Sequence, residues 1–221
     1  MATEEELKGI AAQLRCPDGH HGVQVGDNMN ETNMQMTVQT IAALKLQDAD
    51  RVLELGYGNA GHVADLFGSA SNMTYTGADI SETMQSEACR MNKELTDRHP
   101  ESISFDCYDG GNLPYSNAAF NKIFTVNTLY FWSNPSAMLQ ELARVAEPSA
   151  LLAITFASKT FMQTLPFTQY GFTLYEPEDL TSFLETSSWK ILEIIQKQEH
   201  VRSKVGDMVE RIYYVLVLQR R

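Results

Sequence analysis

Val52-Leu53-Glu54-Leu55-Gly56-Tyr57-Gly58-Asn59-Ala60-Gly61 is the stretch on which the fold turns. A short apolar run enters three glycines, the pattern of a buried strand that breaks into a tight loop before a helix. Gly56, Gly58 and Gly61 spell G-x-G-x-x-G, a dinucleotide-binding signature. Glu54, two positions before the first glycine, works against that reading. A carboxylate repels an anionic pyrophosphate, whereas it attracts a cationic ligand.

Outward from Glu54 the chain alternates strand and helix. Strands are expected over residues 51–55, 73–78, 103–107, 120–126 and 151–156, with helices over 59–68, 81–98, 136–145 and 177–184 between and after them. Two further strand-like runs, 191–201 and 211–218, are joined by a turn around Lys204-Val205-Gly206-Asp207. The expected fold is therefore α/β: a Rossmann-like open sheet of seven strands, mostly parallel, with helices on both faces and one antiparallel strand near the C-terminus. Before the first strand, 4–14 and 32–46 have helical spacing, and the Gly-, Asp-, His- and Asn-rich stretch from Pro17 to Asn30 reads as a loop. The chain reads as one domain over 1–221, with 1–48 a helical extension or lid on an α/β core at 49–221.

The bulk properties narrow the partners. A formal net charge of -11 argues against nucleic acid and anionic membranes, which attract basic surfaces. Glu4-Glu5-Glu6 stands where an export signal needs positive charge, and Cys16, Cys89 and Cys107 are few and scattered, so a reducing cytoplasm is expected. Cys16-Pro17-Asp18-Gly19-His20-His21 lacks a second Cys/His pair and reads as a turn, with no metal implied.

In open α/β sheets the ligand lies beyond the carboxyl ends of the strands. Those ends carry Glu54, Gly56, Tyr57 and Gly58; Asp79 and Ile80, with Met84 just beyond; Asp109 and Gly110; and Asn127. Carboxylates crowded at one rim repel one another unless a cationic, hydroxyl-rich ligand satisfies them. Asp79 suits the two hydroxyls of a ribose, Ile80 an adenine face and Asp109 an exocyclic amine, while each acid alone could equally be a cap or turn former. Glu54 suits an ammonium. S-adenosylmethionine, with its amino-acid ammonium and sulfonium, fits these groups better than NAD does.

Four segments in order resemble class I S-adenosylmethionine-dependent methyltransferases, near the ubiquinone/menaquinone-biosynthesis group. They are Val52–Gly58, Thr76–Met84, Asp109–Tyr115 with Phe120, and Leu139–Pro148. The resemblance implies a final strand inserted antiparallel between the fifth and sixth. It implies a methyltransferase with S-adenosylmethionine as cofactor and a small acceptor. The alternatives are an NAD-dependent oxidoreductase on the same glycine loop and a catalytically silent cofactor-binding protein.

Methyl transfer from a sulfonium can run on positioning alone, so no catalytic residue is assigned. His62 and Tyr130 are placed to face the acceptor, or else are a surface histidine and a packing tyrosine. Tyr57, Tyr130, Phe131 and Trp132 suit cation–π contact and an apolar or planar acceptor. The aromatic and aliphatic residues of 158–175 read as a second lid over a hydrophobic pocket, or as a homodimer contact.

Overall fold

The structure, a computed structural model, describes residues 2–68, 70–202 and 208–221. Seven strands form one sheet: β1 (Arg51–Leu55), β2 (Thr74–Asp79), β3 (Ile103–Cys107), β4 (Phe120–Val126), β5 (Ala146–Ala157), β6 (Trp189–Arg202) and β7 (Met208–Arg220). Their order is β3-β2-β1-β4-β5-β7-β6. The first five are parallel, and β7 runs antiparallel to both β5 and β6. This is the expected topology, including the inserted last strand. The turn expected around Lys204–Asp207 lies outside the described residues.

The strand order reverses direction between β1 and β4. Right-handed crossovers leaving that point in opposite directions place their helices on opposite faces. One set comprises α3 (Val63–Phe67), α4 (Glu82–Met91) and α5 (Lys93–Arg98); the other comprises α6 (Pro135–Val145) and α8 (Pro177–Glu185), which touch each other. The short α7 (Lys159–Met162) lies between β5 and α8. β1 is buried on both faces from Val52 to Leu55, as a central parallel strand should be.

The N-terminal extension departs from expectation. After α1 (Glu4–Arg15), α2 runs unbroken from Gly19–Leu44, through the stretch expected to be a loop. Its N-terminal part, residues 19–30, lacks an apolar stripe because there the helix packs closely through small residues. A Cβ on Gly22 would come within 2.7 Å of the Pro17 backbone, and one on Gly26 within 2.6 Å of Met84 Sδ. The glycines that suggest a loop are the ones that let a helix pass this near, and tertiary contact overrides propensity.

Smaller departures have local causes. The helix expected over 59–68 is confined to Val63–Phe67, because Asn59 to Gly61 stay in turns. The helix expected over 81–98 breaks at Asn92, whose side chain donates to the carbonyls of Ala60 and Ala88. The segment 158–175, expected to be irregular, holds α7 and a 3₁₀ turn at Pro166–Gln169. Among the described residues no helix is long and apolar enough to cross a membrane.

Candidate active site

At the carboxyl ends of β1, β2, β3 and β4 lies a cavity of about 530 Å³. Glu54, Gly56, Tyr57, Gly58, Asp79, Ile80, Met84, Asp109, Gly110 and Asn127 all line it. The reversal between β1 and β4 opens the crevice, and α1 and α2 roof it with Leu14, Gly26, Met29, Asn30 and Asn33.

Glu54 is 3% exposed, which an unpaired carboxylate could not sustain without a large desolvation cost. Tyr75 donates its hydroxyl to Oε2 at 2.5 Å, and His62 Nε2 lies 2.7 Å from the same oxygen. Register explains the tyrosine: Tyr75 pairs with Val52 and therefore shares a face with Glu54 on the neighbouring strand. Burial works against the charged imidazole of His62, but the charge and hydrogen bond of Glu54, with Asp65 beyond, hold it above the ordinary histidine value. Oε1 of Glu54 keeps no partner among the described residues. His62 is thus a buried partner of Glu54 on this cavity's wall and not a surface histidine.

The glycine loop is held by Asp79. Gly58 N–H donates to Oδ2 at 3.0 Å and Ser81 N–H to Oδ1 at 2.9 Å. Burial pushes the Asp79 carboxyl up to about 6, against the lowering effect of those amides. Each oxygen keeps a second lone pair, so the carboxylate can still accept two hydroxyls. Gly56 has φ +77° and a Cβ there would strike Thr128 Cγ2, so the turn requires glycine. Gly61 does not line the cavity; its Cα faces Asn30 of α2, and the G-x-G-x-x-G string is not realised as one phosphate-binding loop.

Asp109 is both things at once. Its Oδ1 accepts from Gly111 and Asn112 N–H at 2.8 and 2.7 Å, a turn former's role, and those bonds hold its carboxyl below the usual range. It also stands on the cavity wall beside Ile80 and Gly110. Tyr57 turns its ring onto Phe105 at 5.4 Å and its hydroxyl to the Asp106 carbonyl, toward β3. Trp132 lines the same cavity with a buried Nε1–H that finds no acceptor among the described residues.

A second cavity of about 700 Å³ adjoins the first. Leu14, Met29, Asn33, Asn127 and Phe131 belong to both walls. α1 contributes Leu7 and Ile10, and the segment after β5 contributes Phe161, Met162, Leu165, Phe167 and Phe172. The apolar residues that a loop would have exposed are turned onto this space. Tyr130 lines it too, with its hydroxyl 3.0 Å from Asn127 Oδ1 and accepting from Ala157 N–H at 2.6 Å. Asn30 was not foreseeable as a wall residue while 17–30 read as a loop; with one helix running through it and Asn33, their i, i+3 spacing puts both on one face.

The model of a methyltransferase domain matches residues 53–154. Methyltransferase GfsG of Streptomyces halstedii is 28% identical over 128 residues, covering 58% of this chain and 45% of that protein. The 27-O-demethylrifamycin SV methyltransferase of Amycolatopsis mediterranei is 28% identical over 145 residues, covering 64% and 52%. The chain spans about half the length of these curated relatives. A solved S-adenosylmethionine-dependent methyltransferase from Aquifex aeolicus superposes with a TM-score of 0.66 at 17% identity, over 100% of both chains, a likeness of fold. None of these singles out the ubiquinone/menaquinone-biosynthesis group, and that finer resemblance is not carried further. The matched domain, the strand order with its inserted last strand, and the relatives agree on one conclusion: residues 53–154 match a methyltransferase domain, and the chain is similar in sequence and fold to the class I S-adenosylmethionine-dependent methyltransferases.

Proposed function

We propose that this protein transfers a methyl group from S-adenosylmethionine to a small molecule with a large apolar body held in the second cavity. The observation that carries this reading is the wall common to both cavities at Leu14, Met29, Asn33, Asn127 and Phe131. Two ligands in those spaces would meet there, which is what an in-line displacement requires.

The residues present fit the cofactor. Asp79 would take the ribose hydroxyls on its spare lone pairs, and Glu54 Oε1 the ammonium. Ile80 and Met84 would cover the adenine, Asp109 would meet its amine, and Gly58 leaves open space where a Cβ would project. The buried Trp132 Nε1–H would gain an acceptor in a ligand that carries a carboxylate. When bound, the cofactor supplies an electrophilic methyl on a sulfonium.

The chain's own contribution is positioning and exclusion of water. Orienting two bound reactants contributes on the order of 7–11 kcal/mol. α1, α2 and the segment 158–175 close the acceptor space with apolar side chains, so the reacting centre is kept dry. The relative named for 27-O-demethylrifamycin SV supports a small-molecule acceptor. Calorimetry with S-adenosylhomocysteine and with NADH tests the reading: binding of the first alone is expected, and tight NADH binding with no response to the sulfur compound would sink it.

A further inference from the structure

We propose, resting on the methyl-transfer reading, that the acceptor presents a carboxylate on its apolar body and that Arg211 with Asn33 binds and orients it. Arg211 is 7% exposed and lines the second cavity, whose wall is mostly apolar. Its Nε and Nη2 donate to Glu199 Oε1 at 3.0 and 2.8 Å, Nη2 also to the Thr32 carbonyl at 2.6 Å, and Nη1 to Asn33 Oδ1 at 3.2 Å. A guanidinium has five N–H protons, so one on Nη1 is left. Asn33 Nδ2 also donates to nothing among the described residues, and Asn33 stands in the wall common to both cavities.

The other polar groups of that wall are spoken for. Thr32 donates its hydroxyl to the Asn28 carbonyl, Thr164 to the Phe161 carbonyl, and Tyr130 is bonded to Asn127 and Ala157. The protons of those hydroxyls are used, whereas Arg211 and Asn33 keep free N–H donors, one of them on a cation, and an ionised carboxylate is an acceptor only. Two donors near each other suit its two oxygens.

The chemistry agrees. An alcohol must lose a proton as it is methylated, and the common wall holds no acid, histidine, lysine, cysteine or tyrosine to take it. Among the described residues the second cavity adds only Tyr130, whose burial raises an already high phenol value, and Arg211. Glu54, His62, Asp79 and Asp109 all belong to the other cavity and are engaged there. A carboxylate needs no base. Its oxygen lone pair forms the new O–C bond as the C–S bond breaks, the electron pair stays on sulfur, and anion and sulfonium become neutral ester and thioether with no proton moved. Loss of both charges is favoured in a dry, apolar space.

The test is calorimetry of the full chain with decanoate, decanol, decylamine and methyl decanoate, each with and without S-adenosylhomocysteine. Decanoate is expected to bind about tenfold tighter than decanol, the worth of one charge-assisted hydrogen bond. Arg211→Gln should erase that preference while leaving decanol and S-adenosylhomocysteine binding unchanged, and Arg211→Lys should restore part of it. Asn33→Leu gives the same readout if Arg211→Gln does not fold. Labelled methyl should appear in methyl decanoate. Equal or tighter binding of decanol or decylamine, or a preference that survives both variants, overturns the proposal. An intact preference in a protein that ignores S-adenosylhomocysteine supports the anion site and overturns the methyl-transfer reading instead.

Discussion

Lowering the pH should cost this protein its cofactor through Asp79. Burial places the Asp79 carboxyl at about 6 against an ordinary 3.8. That gap is about 2 units, or about 3 kcal/mol by which the empty fold disfavours the charged form. Because the folded value lies above the unfolded one, the penalty is full above pH 6 and fades as pH falls toward 4. A ribose that donates two hydroxyls needs the charged, acceptor-only carboxylate. At pH 5.5 roughly a quarter of empty sites would be ionised, so affinity for S-adenosylhomocysteine should fall about fourfold from its value at pH 8. That pH stays above the isoelectric point near 4.9, where the chain would lose its dispersing charge. Calorimetry across pH 5.5–8 reads the slope directly. Asp79→Asn should bind at least about tenfold more weakly at pH 8 and lose the slope. It should also lose the wild type's relative gain in unfolding free energy between pH 7 and 5.5. A wild-type affinity that holds or rises toward pH 5.5, or a slope that persists in Asp79→Asn, would refute the assignment.

Three further outcomes are expected. Glu54→Gln should weaken S-adenosylhomocysteine about tenfold and let the His62 value fall, because burial would no longer be opposed by a carboxylate; histidine NMR reads the second effect. Glu54→Ala should in addition unfold at lower denaturant, since removing one partner of a buried pair costs about 3–5 kcal/mol. Gly56→Ala should destabilise far more than Gly58→Ala in urea titration: both have positive φ, costing about 1–2 kcal/mol, but only the first meets Thr128. Ile10→Trp should crowd the second cavity, abolishing binding of an apolar probe such as decanoate while S-adenosylhomocysteine binds as before; loss of both would show that the two spaces are not separable.

Much of the sheet was legible because strand signals are local. The runs at 51–55 and 120–126 are short, largely apolar stretches that match β1 and β4 residue for residue. Motifs also located the residues that line the first cavity, since a strand end, a glycine and an acid at fixed spacing constrain one another whatever lies above them. What the pattern misread was α2. The first half of that helix, which contacts its neighbours through Gly22 and Gly26 and presents Asn30 to a cavity, has no apolar stripe to find. The single helix expected after Ser81 failed for a related reason: Asn92 is turned inward to cap backbone carbonyls, a choice made by contact with Ala60 thirty-two residues away.

The sequence by itself determined the alternation of strands and helices and the acids that ring the first cavity, because both follow from residue type at short range, while the place of the last strand came from the family resemblance. It did not determine how those acids are used. Glu54 reads as a free counter-charge, yet in the fold one of its oxygens belongs to Tyr75 and His62 and only the other is left for a ligand. Asp109 reads as turn or ligand, and it is both. Nothing in the linear chain joins Arg211 to Thr32 and Asn33, since their pairing depends on β7 passing the start of α2's second half. Pairing and burial are set by distances between elements remote in sequence, and only the tertiary structure fixes those.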